Sequence, residues 1–181
     1  MTSAHIRFLP LAGKTIAVHT VTYLVMGVLA SSLLDYAAAF SRPEMACWMR
    51  PLSDPLIMAG PLFQPLRGLV FALAIYAVRD VVFARPGGWV VLWGLLVGLG
   101  IVATFGPAPG SLEGLVFTVI PVRAQLTGYA EVVPQAFLLA FCIVYWVNHP
   151  EKRWFTWLMV ALFLAAVALP VLGLLVARPG V

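Results

Sequence analysis

The sequence predicts an all-α integral membrane protein: a bundle of about five transmembrane helices plus one short half-helix or re-entrant segment, in a single domain over residues 1–181. Three observations carry that expectation. The 181 residues are 62% hydrophobic with a mean hydropathy of +1.01, more apolar surface than a water-soluble fold can hide. Only 10% are charged, against about 25% in soluble domains. The apolar residues come in continuous runs of helix-spanning length, not in the alternation of a transmembrane barrel.

The chain opens with a short, weakly basic leader carrying His5 and Arg7, and Lys14 opens the first span, residues 15–34. Basic residues before an apolar run resemble a signal peptide, but the length of the run and the lack of a small-residue cleavage site behind it predict a retained span. Gly13-Lys14-Thr15 looks like the end of a phosphate loop, yet Phe8 stands where that motif needs its first glycine. Inside the span, His19, Thr22, Tyr23 and Met26 share one partly polar face. Gly27 and Ser31 form a small-xxx-small pair suited to close helix approach.

Residues 35–54 read as a polar loop with Arg42, Glu44 and Arg50 between Pro43 and Pro51. Met45, Cys47 and Met49 alternate there, either as soft ligands of the kind Cu(I) accepts or as an apolar patch on a membrane surface. The second span covers residues 56–84, broken near 60–65 by Pro61 and Pro65. Two helix starts compete in it. With Pro65 in the first turn, Arg67 lies near an interface and snorkels to headgroups. With Asp54 capping and Pro55 first, Arg67 lies near mid-membrane, where a charge costs about 2.5–3.5 kcal/mol and requires a partner.

The third span, residues 89–105, carries Gly94, Gly98 and Gly100 on a GxxxG-type face. After the Gly106 to Gly110 breaker, Ser111 is a good N-cap for a half-helix over 112–120, too short to cross, with Glu113 in its first turn and Pro121 and Arg123 beyond it. The fourth span, 132–147, follows Glu131 and holds Gln135 one turn inside; the fifth, 154–177, ends at Arg178. Arg7, Lys14, Arg79, Arg85, Lys152 and Arg153 fall on one side of this layout, with Trp89, Trp93, Trp146, Trp154 and Trp157 near them. The positive-inside bias then predicts a multi-pass protein of a bacterial inner membrane with its N-terminus cytoplasmic.

The candidate ligand-binding residues are Gln64, Arg67, Ser111, Glu113, Arg123, Gln135 and His19. Arg67 and Glu113 should not both stay unpaired in lipid, so an Arg67–Glu113 contact is expected, as a structural ion pair or as part of an outward-facing site. The functional form of that expectation is binding or translocation of a small anionic or amphiphilic ligand, with Arg67 and the half-helix N-terminus as donors. His19 reads either as a proton acceptor, haem ligand or metal ligand, or as an interhelical hydrogen-bonding residue.

Two alternatives belong to other classes. One is a non-catalytic subunit or assembly factor, its partner or self-association surfaces being the Gly27/Ser31 and Gly94/Gly98 faces. The other is a lipid-modifying enzyme using Glu113 or His19 as base. No HExxH, GxSxG or phosphate-loop motif is present, so the reading leans away from catalysis, and no motif names a cofactor or a metal. Cys47 and Cys142 fall in a loop and in a span, a poor arrangement for a disulfide. The expected partner is the lipid bilayer and not nucleic acid, because the net charge of +4 comes from short clusters between spans.

Overall fold

The computed structural model describes residues 6–47 and 49–176, built from helices with no strand among them. His5, Ala177 and Arg178 lie outside the described residues, as does the side chain of Glu44. The elements are α1 (Phe8–Leu33), α2 (Tyr36–Phe40), α3 (Pro43–Ala46), α4 (Pro55–Met58), a 3-10 turn (Gly60–Phe63), α5 (Gln64–Ala77), α6 (Arg79–Phe83), α7 (Gly88–Val97) with a π turn (Gly98–Val102), α8 (Leu112–Phe117), α9 (Val122–Thr127), α10 (Tyr129–Asn148) and α11 (Arg153–Val176). Four helical stretches are long and apolar enough to cross a membrane: Phe8–Leu33, Gly60–Ala77, Val122–Asn148 and Arg153–Val176. The fifth apolar helix, Gly88–Val102, is shorter.

Helix direction follows from which residues meet. Lys14 sits against Trp146 while Gly27 faces Glu131, so α1 and α10 run antiparallel along their length. Phe8 meets Tyr76 while Ile16 meets Gly68, which makes α5 antiparallel to α1 as well. Trp89 packs on Phe141 and Trp93 reaches the Val133 carbonyl, so α7 runs against α10 and along α1. The direction therefore alternates from α1 to α5, α7, α10 and α11, with residues 149–152 turning α10 into α11.

α1 is the central helix. Pro10 stands in its first turn, where a missing N–H costs nothing, and no proline follows until Pro43. It ends at Leu33, and just beyond it Asp35 has a left-handed backbone at φ 44° and a carboxylate that caps α2. Val18, Ile75, Ala140 and Ile143 are almost fully buried between α1, α5 and α10. At one end of the bundle Lys14 Nζ donates to the Trp146 carbonyl at 2.9 Å and lies over the Trp146 ring, meeting orphan acceptors in the last turn of α10. Phe137, Phe141, Tyr145 and His149 stack at four-residue spacing along α10, the first two against Trp89 of α7.

Both competing helix starts in the second stretch form. Asp54 caps α4 by accepting from the Leu56 N–H at 2.8 Å with Pro55 at the first position, and Pro65 stands in the first turn of α5. Between them the 3-10 turn lets the chain change direction, because Pro61 cannot donate to an α ladder. The third stretch also departs from a straight span. The Ala103 N–H bonds Gly98 O at 2.8 Å, five residues back, so ten α residues are followed by five in a wider π turn. Such a helix rises only roughly 20 Å.

Two expectations are corrected here. The half-helix covers Leu112–Phe117, not 112–120, since Thr118 turns extended and a second short helix, α9, follows. Residues 35–54 are not plain loop: α2 and α3 fold back against the end of α1.

The α4 cap carries a pH prediction. The Leu56 N–H first, then the Arg50 guanidinium 2.9 Å away, hold the Asp54 carboxyl below its ordinary 3.8. A depressed carboxylate contributes above its unfolded value and loses that contribution as pH falls through the folded one. The protection of the Leu56 amide, its exchange rate relative to an unstructured peptide at the same pH, is therefore expected to be constant at neutral pH and to be lost only well into acid. Asp54→Ala should remove that protection at every pH; protection insensitive to that substitution would exclude the cap.

Candidate functional site

At the end of the bundle opposite Lys14, a cavity of about 590 Å³ lies between the last turns of α1, the α2–α3 segment and the start of α9–α10. That volume suits a ligand of drug or lipid-headgroup size. Its apolar wall includes Leu24, Val28, Phe40, Met45 and Leu52, and its polar groups include Tyr23, Tyr36, Arg42 and Glu131. Glu131 is half-buried near the start of α10. Gly27, directly across on α1, has no side chain, and a Cβ built there would lie 3.9 Å from Glu131 Oε1.

Tyr36 donates its phenolic hydrogen to Glu131 Oε2 and stacks on Phe40, ring centroids 5.2 Å apart. Burial first, then the hydrogen bond to Glu131 and its negative charge, push the Tyr36 phenol well above its ordinary range. The phenol therefore remains a donor to Glu131 Oε2, and Oε1 is uncommitted among the described residues.

Next to the cavity, Gln125 on α9 holds the preceding loop in place. Its Oε1 accepts from the Gly110 N–H at 3.2 Å, and its Nε2 faces Ile120 O at 2.8 Å and Gly114 O and Thr118 Oγ1 at 3.2 Å. Gly114 is tightly placed, for a Cβ there would stand 2.0 Å from Ala108 O. Tyr129 adds a hydroxyl bond to Gly110 O.

A second polar group lies deeper, toward the Lys14 end. His19 Nε2 meets Gln64 Oε1 at 3.0 Å, and Gln64 Nε2 donates to Gly60 O at 3.1 Å. That second bond fixes the amide, so Oε1 faces the ring and His19 carries its proton on Nε2. The ring also makes an edge-type contact with Phe71, and neither His19 Nδ1 nor Thr15 Oγ1 has a hydrogen-bond partner among the described residues.

The residues singled out from sequence are thus dispersed. Gln64 and His19 come together as the buried pair just described. Arg67 itself is exposed, lies over the Phe71 ring, and makes no ion pair among the described residues. The expected Arg67–Glu113 contact is absent. α5 begins at the level of His19 and carries Arg67 back toward the Lys14 end, whereas α8 is tied through Gly110 to Tyr129 at the other end. Glu113 and Arg123 are exposed and Gln135 is half-buried. Ser111 is fully buried, its hydroxyl spent on the Gly114 N–H and the Ala108 carbonyl. None of the seven lines the cavity.

Tyr36, Arg42 and Gln125 are what sequence reading missed, and Glu131 entered it only as the residue before the fourth span. One signal was present: Thr15, His19, Tyr23, Gly27 and Ser31 recur every four residues, a polar and small stripe winding along α1. Among the described residues no group of three or more His, Cys, Asp or Glu side chains is gathered as a metal site would need. No family model, no curated protein and no solved structure matches the chain.

Proposed function

We propose that this chain is a multi-pass membrane protein that binds an amphiphile in the cavity between α1, α2–α3 and α9–α10. The observation that carries the reading is the composition of that cavity: Glu131, Tyr23, Tyr36 and Arg42 face the same space as Leu24, Val28, Met45 and Leu52. A carboxylate with a free oxygen beside an aliphatic wall complements a molecule with a polar head and an apolar body. The bilayer placement is supported by the outer surface, where Leu164, Leu169, Leu172 and Leu175 of α11 and Leu66, Val70 and Leu73 of α5 are exposed. The alternating helix directions support a fivefold crossing in which the shorter α7 takes part, with Arg7, Lys14, Lys152 and Arg153 on the cytoplasmic side.

The test is lipid retention. Wild-type protein purified in mild detergent is expected to carry about one bound lipid per chain in native mass spectrometry. Gly27→Leu, which projects a side chain between α1 and Glu131, is expected to lose it while remaining folded by circular dichroism. A wild-type chain bare of lipid in several mild detergents would remove this reading.

A second reading, an assembly subunit, is favoured by one observation: Gly94, Gly98 and Gly100 have open space where a Cβ would stand, with nothing within 4 Å among the described residues. Gly94→Leu would then lower the mass of the purified particle in light scattering.

A further inference from the structure

Two charges of opposite sign line the cavity without pairing. Among the described residues the ion pairs are Arg50–Asp54 and Arg79–Asp80, so neither Glu131 nor Arg42 has a charged partner within 4.0 Å. A purely anionic head would be repelled by Glu131, and a purely cationic one by Arg42. A head carrying both signs would meet both charges, and only such a head removes both unpaired charges at once.

Resting on the amphiphile reading above, we propose that the cavity recognises a zwitterionic headgroup: a primary ammonium at Glu131 and a phosphate at Arg42. The ammonium end is argued from atoms. Tyr36 occupies Glu131 Oε2, leaving Oε1 turned toward the space that Gly27 keeps open. A primary ammonium donates a hydrogen bond to that oxygen, which a quaternary one cannot do. The Tyr36–Phe40 stack beside it and Tyr23 supply aromatic faces attractive to a cation. The anion end belongs to Arg42, at the head of α3, whose guanidinium matches phosphate oxygens in a fork. Phosphoethanolamine has this chemistry, whether on a diacyl lipid or free in solution.

The experiment uses the full chain in detergent, with phosphatidylethanolamine, phosphatidylcholine and phosphatidylglycerol of identical acyl chains competing in native mass spectrometry. Phosphatidylethanolamine is expected to be retained at least tenfold over the other two. Glu131→Gln, whose amide oxygen still accepts from Tyr36, should bring it down to the level of phosphatidylglycerol. Arg42→Gln, at an exposed position, should weaken all three phospholipids together, and it serves as the test should the Glu131 variant fail to fold. Free phosphoethanolamine displacing the lipid would identify a soluble source of the head, and no displacement would identify the lipid; either supports the head chemistry. Equal retention of all three lipids, a preference unchanged in Glu131→Gln, or retention unchanged in Arg42→Gln overturns the proposal. If Gly27→Leu still clears every lipid in that case, the amphiphile cavity stands without zwitterion recognition; if wild type holds no lipid at all, the cavity reading itself has failed.

Discussion

Gln125→Leu is expected to lower stability by about 3 kcal/mol, because removing one buried amide strands several backbone groups at about 1–3 kcal/mol each. Gln125 is 2% exposed, and its bonds to Gly110, Gly114, Thr118 and Ile120 gather fifteen residues of chain around α8. Leucine has nearly the same volume, so the loss would be polar and not a cavity effect. Gly114 O retains Thr118 as donor, but the Gly110 N–H and the Ile120 carbonyl have no substitute in view. Gln125→Glu separates the two ends of the amide: it preserves the acceptor for Gly110 but turns a carboxylate toward the carbonyls of Gly114 and Ile120. That variant should be at least as unstable at neutral pH. The readouts are the apparent melting temperature in detergent and hydrogen exchange over residues 106–121. Since Gln125 also lines the cavity, both variants should lose the retained lipid. Wild-type exchange in that segment would show that the amide does not hold the loop.

Why this residue escaped the sequence is a matter of what periodicity can report. The long helices were legible because their apolar runs are uninterrupted, and a backbone in such surroundings must bond to itself. Gln125 sits instead in a short helix among breakers, with partners that are mostly backbone atoms, and backbone atoms have no signature in a sequence. The His19–Gln64 pair joins positions 45 residues apart; each was visible as a polar residue in an apolar run, but their meeting depends on where the 3-10 turn starts α5. Arg67 and Glu113 failed for the same reason in reverse. Opposite charges suggested a pair, while the levels at which α5 and α8 begin keep them apart. Tyr36 and Arg42 were passed over as loop, though α2 and α3 turn back to wall the cavity against α1. The sequence carried chemistry at these positions and no information on proximity.

Gly68→Leu is expected to disrupt the bundle itself, by about 3 kcal/mol, the upper end of what overpacking costs. α1 and α5 approach so closely at this glycine that a Cβ would lie 2.8 Å from the Ile16 Cα, and the obstructing atom is backbone in the middle of a long helix. It cannot rotate away as a side chain would. The helices must separate, and the nearest bond to feel that is His19–Gln64, one turn along at 3.0 Å, followed by the edge contact of His19 on Phe71 at 4.9 Å. Gly68→Ala should show the same effect at reduced size, since even a methyl group meets that backbone. The matching control is Gly94→Leu, where nothing lies within 4 Å of a built Cβ, so the stability of the isolated chain should change by no more than about 0.5 kcal/mol. Comparing the two melting temperatures distinguishes glycines that let helices of this chain touch from glycines on an open face. Equal melting of Gly68→Leu and wild type would mean that α1 and α5 do not pack here, and with that contact would go the placement of Gln64 against His19.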